Sequence, residues 1–146
     1  MGTKVGNVFV QGGIAPEFIA DSIAKHSSKL QIGAHQIFLG QVRADAIDGK
    51  TVTAIEYTAY ESMANQKFQE IKEAAFSKFD IVCMHCHHSL GRVEAGEVCL
   101  FVFVSSPHRK SAFAALEFTV EQIKAQLPVF GKELLGEDSH QWKTNT

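Results

Sequence analysis

Two segments of this chain place apolar residues at the spacing of an α-helix, and the segments around them do not. The stripes are Ala64, Phe68, Ile71, Ala75 and Phe79, then Ala112, Leu116, Val120, Ile123 and Leu127. Steps of three and four residues put each set on one helical face, which must be buried against another element. A proline at position 16, followed by Phe18, Ile19 and Ile23, predicts a shorter helix that ends at about His26.

The other regular segments are rich in β-branched and aromatic residues, which is typical of strands. They are residues 4–11, 34–42, 51–60, 80–88, 97–105 and the short segment 129–135. An Asp-Gly pair in the polar loop 43–50 predicts a turn, and GRVEAGE at 91–97 predicts a hairpin. The order βαββαββα plus a terminal strand predicts an α+β fold, with helices packed on a mainly antiparallel sheet. The length of 146 residues fits a single domain over residues 1–146.

Composition narrows the classes of function. The formal net charge is -2, which argues against a general nucleic-acid binder. The longest apolar runs are too short to span a bilayer, and the first residues have no signal-peptide core, so we expect no membrane association. Three cysteines without an export signal predict free thiols in a reducing cytoplasm.

The segment SSPHRKSAF at 105–113 is the strongest local signal for a ligand. Ser106 and Pro107 predict a helix start, with the serine as cap and the proline in the first turn. The amides of such a start attract anions, and His108 and Arg109 add side-chain donors. The alternative is a merely solvated polar helix start, although a basic residue there opposes the helix dipole.

Three further basic residues are candidates for a site. Arg43 follows a predicted strand, where functional side chains often sit, but it is equally compatible with an ordinary surface arginine. Lys124 lies near the predicted end of the last helix, where it would simply favour the helix dipole, or would serve a partly desolvated pocket. Lys132 lies on the other side of Pro128, beyond the predicted end of the helix.

The run CMHCHH at 83–88 suggests a metal or haem site, but strand geometry argues against one. Successive side chains of a strand point to opposite faces, so Cys83 and Cys86 would not converge on one ion. Buried small cysteines in a sheet are the simpler explanation. We therefore predict no metal site here and no cofactor.

Five segments in order resemble the large subunits of molybdopterin synthases, over about residues 33–142. They are FLGQVR at 38–43, YTAYESMA at 57–64, HSLGRVEAGE at 88–97, SSPHRKSAF at 105–113 and KAQLPVFGKE at 124–133. The resemblance implies an α/β hammerhead fold and a homodimer that binds a small ubiquitin-like sulfur-carrier subunit. The thiocarboxylate at the end of that carrier would pass sulfur to a cyclic pyranopterin monophosphate, forming the molybdopterin dithiolene.

The resemblance also implies site residues. Arg43, His108 and Arg109 would bind the pterin substrate, and Lys124 and Lys132 would be catalytic. The family's second lysine usually stands at the position of Gly131 here, so Lys132 is offset by one residue. Ser89 also replaces an arginine that often follows the hairpin histidine, and Lys143 is the only basic residue after Trp142.

The two ends of the last helix are too far apart for one small substrate. Fifteen helical residues between Arg109 and Lys124 span about 22 Å. A site completed across a two-fold dimer would bring them together. Two alternatives to a sulfurtransferase remain open from the residues alone: a non-catalytic α+β phosphate- or nucleotide-binding module, and a metal-binding protein built on the His/Cys strand.

Overall fold

The computed structural model describes residues 5–136 and 139–144. Its helices are α1 (Pro16–Lys25), α2 (Glu61–Lys78) and α3 (Arg109–Gln126). Its strands are β1 (Phe9–Gln11), β2 (Ala34–Gln41), β3 (Ala46–Ile47), β4 (Lys50–Ala59), β5 (Cys83–Glu94), β6 (Val98–Ser106), β7 (Val129–Leu135) and β8 (Ser139–Trp142). The three predicted helices are confirmed to within a residue or two at most ends.

The strands form one mainly antiparallel sheet, so the predicted α+β class is confirmed. Its order is β2-β6-β5-β4-β7-β8, with β3 paired to β4 and β1 paired in parallel to β5. Strand β5 holds the sheet together, because residues 83–88 pair with β6 and residues 91–94 pair with β4. The change of partner along one strand brings β7 and β8 next to the end of α3.

The helices cover the two faces of the sheet. Side chains alternate along β6, so Leu100, Val102 and Val104 face α2 and α3, with which they form the largest core cluster. Phe101 and Phe103 point the other way, and Phe18 of α1 packs edge-on against Phe101 at 6.3 Å between ring centres. The predicted apolar stripes of α2 and α3 therefore serve the core as expected, whereas α1 has no fully buried residue.

The turn between β5 and β6 is shorter than the sequence predicts. We predicted a strand over 80–88 and a turn over 91–97, but β5 continues to Glu94 and only residues 95–97 turn. Residues 91–94 continue the strand because they pair with β4, beyond the point where β5 stops pairing with β6. Gly91 and Gly96 have φ of +78° and +94°, which glycine adopts without strain.

The start of α3 was also misplaced. Ser106 is the last residue of β6, where it pairs with Ala34, and the cap of the helix is His108. The Ser106 hydroxyl instead donates a hydrogen bond to the His108 carbonyl oxygen. Pairing with β2 therefore extends the strand through the serine and delays the helix to Arg109.

The short strands β1, β3 and β8 differ from the prediction. Strand β1 begins at Phe9 rather than Lys4, which lies outside the described residues. Strands β3 and β8 were not predicted, and each is the short partner of a longer neighbour. The Asp-Gly turn is confirmed, since Asp48 and Gly49 both have positive φ between β3 and β4. Among the described residues, no helix is long and apolar enough to cross a membrane.

Candidate active site at the C-terminal end of α3

A cavity of about 290 Å³ opens where α3 ends and the chain turns into β7. Helix α3 stops at Gln126 ahead of Pro128, as predicted, and β7 then runs between β4 and β8. The walls combine residues from six elements or their flanks, chiefly Tyr57, His88, Lys124, Gly131, Trp142 and Lys143. Two lysines and a histidine thus converge on one concave surface.

Lys124 reaches the cavity from the last turn of α3. Its side chain is exposed at the rim, but the surrounding wall removes part of its hydration, which lowers the pKa of its ammonium group. The positive charge of Lys143 lowers that pKa further, while Cys99 beneath the cavity opposes the shift. A lysine with a lowered pKa gives up a proton more easily than an ordinary surface lysine, which suits proton transfer.

His88 lies deeper in the same cavity and is 6% exposed. Its Nδ1–H donates a hydrogen bond of 2.8 Å to the Ser89 carbonyl oxygen, which leaves Nε2 as the acceptor nitrogen. The Tyr57 ring meets the imidazole edge-on at 5.0 Å between ring centres. Burial, and to a smaller extent the charge of Lys124, lower the pKa of His88 to about 4, so the ring is neutral at pH 7.

The lowered pKa of His88 predicts a loss of stability in acid. Between pH 6.5 and 4 the unfolded state binds a proton at His88 that the native state excludes, so stability is present above that window and falls as the pH drops through it. The expected loss between pH 7 and pH 5 is about 2 kcal/mol from this residue. Urea unfolding at both pH values measures it. In His88→Asn, whose amide keeps the donor to Ser89, the pH dependence should shrink, and an undiminished pH dependence would contradict the assignment.

Lys132 does not line this cavity. Along β7 its neighbours Gly131 and Glu133 are buried on one face, and Lys132 lies on the other, where its ammonium is 3.9 Å from a Glu56 carboxylate oxygen. The one-residue offset therefore reverses the direction of the side chain, as the two-residue period of a strand requires. A side chain at Gly131 would itself be crowded, since its Cβ would lie 3.0 Å from Ile55 and 3.1 Å from Tyr57.

Lys143 lies next to Gly131, the position at which the family resemblance would place the second lysine. Its backbone N–H donates a hydrogen bond of 2.7 Å to the Gly131 carbonyl oxygen, which holds the residue just beyond β8 against β7. Its half-buried side chain lines the cavity together with Lys124. The structure thus pairs Lys124 with Lys143 rather than with Lys132.

The three predicted substrate-binding residues are divided between the two opposite ends of the paired strands β2 and β6. Arg43 follows β2 at the end where Gln41 pairs with Val98, which is also the end that holds the cavity. Its exposed guanidinium is 3.4 Å from the Asp45 carboxylate, a surface pair that contributes little to stability and leaves the arginine accessible. His108 and Arg109 lie at the opposite end, beyond the Ala34–Ser106 pair.

The start of α3 retains the features of an anion site. His108 and Arg109 are exposed, and no side chain caps the first turn. No acidic residue occupies that turn either, so the positive end of the helix dipole is reinforced by Arg109 and Lys110. Because α3 is one unbroken helix of 18 residues, this end stays about 22 Å from Lys124 within one chain.

Sequence reasoning overlooked four of the cavity's functional side chains. His88 and Tyr57 stood in two of the motifs that carried the family resemblance, and that was the signal available for them. Trp142 and Lys143 became visible only through the unpredicted strand β8, which folds the tail against β7. The predicted divergence of Cys83 and Cys86 holds in the structure, since Cys86 belongs to the core under α2 and α3 whereas Cys83 faces α1.

Known proteins resemble this chain in sequence and in fold. The family model described as MoaE protein matches residues 15–126. A molybdopterin synthase catalytic subunit of Aedes aegypti is 41% identical over 77% of this chain and 74% of its own length. The corresponding protein of Bacillus subtilis is 37% identical over 84% of this chain and 76% of its own length.

Solved structures agree with the sequence relatives. Molybdopterin synthase from Staphylococcus aureus superposes with a TM-score of 0.82 and 28% identity, covering 98% of this chain and 99% of that one. A complex of subunits 1 and 2 of the molybdopterin-converting factor from Helicobacter pylori gives a TM-score of 0.78 at 21% identity, over 92% of this chain and 87% of that one, and shows the shared fold. On the family match and these relatives, the chain belongs to the MoaE protein family.

Proposed function

We propose that this chain is the catalytic subunit of a molybdopterin synthase and acts in the reducing cytoplasm, where its three unpaired cysteines would persist. It transfers sulfur from a thiocarboxylated small carrier subunit to cyclic pyranopterin monophosphate, which forms the dithiolene of molybdopterin. The observation that carries this proposal is the cavity in which Lys124, Lys143 and neutral His88 converge. Its lining suits an anionic acyl group better than a metal or a nucleotide.

The chemistry of a thiocarboxylate explains this lining. The sulfur of the carrier's terminal group is negatively charged and bonds to the pterin, giving a thioester between carrier and pterin. Water then attacks the acyl carbon, negative charge develops on the carbonyl oxygen, and collapse of this intermediate breaks the carbon–sulfur bond, leaving the sulfur on the pterin and a carboxylate on the carrier. Ammonium groups positioned at that oxygen stabilise the charge, and partial exclusion of water strengthens the effect. The exposed aromatic side chains Phe130 and Trp142 flank the cavity and offer apolar contacts to the incoming peptide tail.

The anionic end of the pterin needs a second set of cations, which the start of α3 supplies. Arg109 and His108 lie too far from Lys124 in the same chain, so we propose that a second copy brings them to the cavity, where Arg43 already lies at the same end of the sheet. The surface around α3 suits such a copy, since Leu39 of the edge strand β2 and Phe113 of α3 are 44% and 53% exposed. Exposed apolar side chains on an unpaired edge favour association.

Lys143→Ala should lower the rate of sulfur transfer by about 10²-fold or more, because it removes one of two cations from the cavity. Lys132→Ala is the matched control on the neighbouring strand and should retain nearly full activity, since it breaks only a half-exposed pair with Glu56. Single-turnover rates with saturating carrier and precursor measure both effects. A large loss in Lys132→Ala with none in Lys143→Ala would reverse the assignment of the second lysine.

Reconstitution tests the function itself. The purified chain is mixed with thiocarboxylated carrier and the cyclic pterin precursor, and the dithiolene product is detected after oxidation to a fluorescent pterin. Product that depends on both components supports the proposal. Binding of the precursor without any sulfur transfer, with carrier present, would favour the phosphate-binding module instead.

A further inference from the structure

A second cluster of reactive side chains lies on the other face of the sheet, between the end of α1 and the start of β5. His26, Cys83 and His85 each direct one potential ligand atom to a common point, and these atoms lie within 4.8 Å of one another. The two imidazole Nε2 atoms are 3.1 Å apart. His26 and Cys83 are buried, with 8% and 6% exposure, so a cluster of this kind is costly unless its polar atoms have a partner.

The backbone holds His26 in the orientation of a metal ligand. Its Nδ1–H donates a hydrogen bond of 2.8 Å to the carbonyl oxygen of Ser22, one helical turn earlier. This leaves Nε2 of His26 without a proton, and its lone pair accepts a hydrogen bond of 3.1 Å from His85 Nε2, a bond that a bound ion would replace. Metal-binding histidines characteristically donate the other ring N–H to a carbonyl or a carboxylate, which fixes both the tautomer and the direction of the ring.

The other two groups are also suited to a metal. The imidazole of His85 directs its Nε2 to the same point as His26, with 5.0 Å between the two ring centres. The ammonium of Lys29 donates a hydrogen bond of 3.0 Å to Cys83 Sγ, which fixes the direction of the sulfur. A thiolate and two neutral imidazoles form a ligand set of intermediate softness that Zn²⁺ prefers.

We propose that His26, Cys83 and His85 bind one Zn²⁺ ion per chain. Zinc bonds of 2.0–2.3 Å in a tetrahedron place ligand atoms roughly 3.3–3.8 Å apart. The two nitrogens are 3.1 Å apart and no pair of ligand atoms is separated by more than 4.8 Å, so small side-chain rotations bring all three to one ion. Binding releases the Cys83 thiol proton to solvent and forms a site of net charge +1. The fourth position opens towards a cavity of about 210 Å³ lined by Phe18, His87 and Phe101, which admits water.

The sequence predicts no metal site chiefly because Cys83 and Cys86 point to opposite faces of a strand. That pair does diverge, but alternation also places Cys83 and His85 on one face, and α1 supplies the third ligand from 57 residues earlier in the chain. The zinc would tie the end of α1 to β5. This anchor has value because α1 has no fully buried residue of its own.

Zinc binding to the full-length chain, stripped of metal with a chelator and kept reduced, tests this inference without any assay of sulfur transfer. Isothermal titration with Zn²⁺ should give one ion per chain, and thermal unfolding should move to higher temperature with the ion present. Cys83→Ala and His26→Gln should each weaken binding at least about tenfold, because each removes a direct ligand. Cys86→Ala is the matched control, since Cys86 lies three residues after Cys83 in the same strand but on the opposite face.

X-ray absorption on the zinc-loaded wild type keeps the test independent of how the variants fold. It should show one sulfur at about 2.3 Å and nitrogen or oxygen ligands at about 2.0–2.1 Å. Zinc bound without sulfur, no stoichiometric zinc at micromolar concentrations, or wild-type affinity in folded Cys83→Ala would each overturn the inference. Because all readouts concern the metal, their failure would leave the proposed sulfur transfer unaffected.

Discussion

Lys124→Ala is expected to lower the rate of sulfur transfer by about 10²–10³-fold, which is typical when a positioned donor to a developing oxyanion is removed. The loss should appear in the single-turnover rate rather than in the affinity for the carrier. Lys124 lies at the rim of the cavity, and its lowered pKa reflects partial loss of hydration there, so water screens its charge less than that of an ordinary surface lysine.

The fold should survive this substitution because Lys124 is exposed in the last turn of α3 and the core stripe is carried by other residues. Removing a cation near the end of a helix costs only about 0.3–1 kcal/mol. Lys67→Ala serves as the matched control, since Lys67 is also a helical lysine but lies on α2 and pairs with Glu70 outside the cavity. A folded Lys124→Ala protein with turnover like that of Lys67→Ala would remove Lys124 from the mechanism.

The hydrophobic periodicity of the sequence predicted the helices and the longer strands because these elements depend mainly on neighbouring residues. The stripe from Ala64 to Phe79 and the stripe from Ala112 to Leu127 became the buried faces of α2 and α3. The errors lie where pairing between distant strands decides the outcome. Residues 91–94 of β5 are extended only because they pair with β4. Nothing in the pattern of these four residues indicates that β4 is their partner.

In the candidate site, too, the local features were predictable and those that depend on distant strand pairing were not. Lys124 was predictable, because a motif on one helix fixes it. That Lys143 rather than Lys132 lines the cavity was not predictable, since it depends on the two-residue alternation of β7 and on a strand, β8, that exists only as a partner of β7. The cluster of His26 with Cys83 and His85 was hidden for the same reason, because a histidine at the end of α1 carries no local sign of what it faces.

Mixed dimers of Arg109→Ala and Lys124→Ala chains are expected to recover activity that neither variant has alone. Helix α3 is unbroken from Arg109 to Gln126, so the two residues stay about 22 Å apart in one chain, farther than a pterin phosphate reaches. If a two-fold axis brings Arg109 of one chain to Lys124 of the other, a heterodimer contains one intact pocket and one doubly substituted pocket. A pure heterodimer should then show up to about half of the wild-type rate.

The control for this complementation is a mixture of Lys124→Ala with Lys143→Ala chains. Both lysines line one cavity of a single chain, so every pocket in such a heterodimer still lacks one of them, and no activity should return. Subunit exchange is followed with two affinity tags, and the activity of the doubly tagged fraction is measured. Recovery with Arg109→Ala but not with Lys143→Ala would mean that the start of α3 and its end serve one pocket from different chains. Exchange without recovery in either mixture would place Arg109 outside the pocket of Lys124, and the anion site at the start of α3 would then need a role of its own.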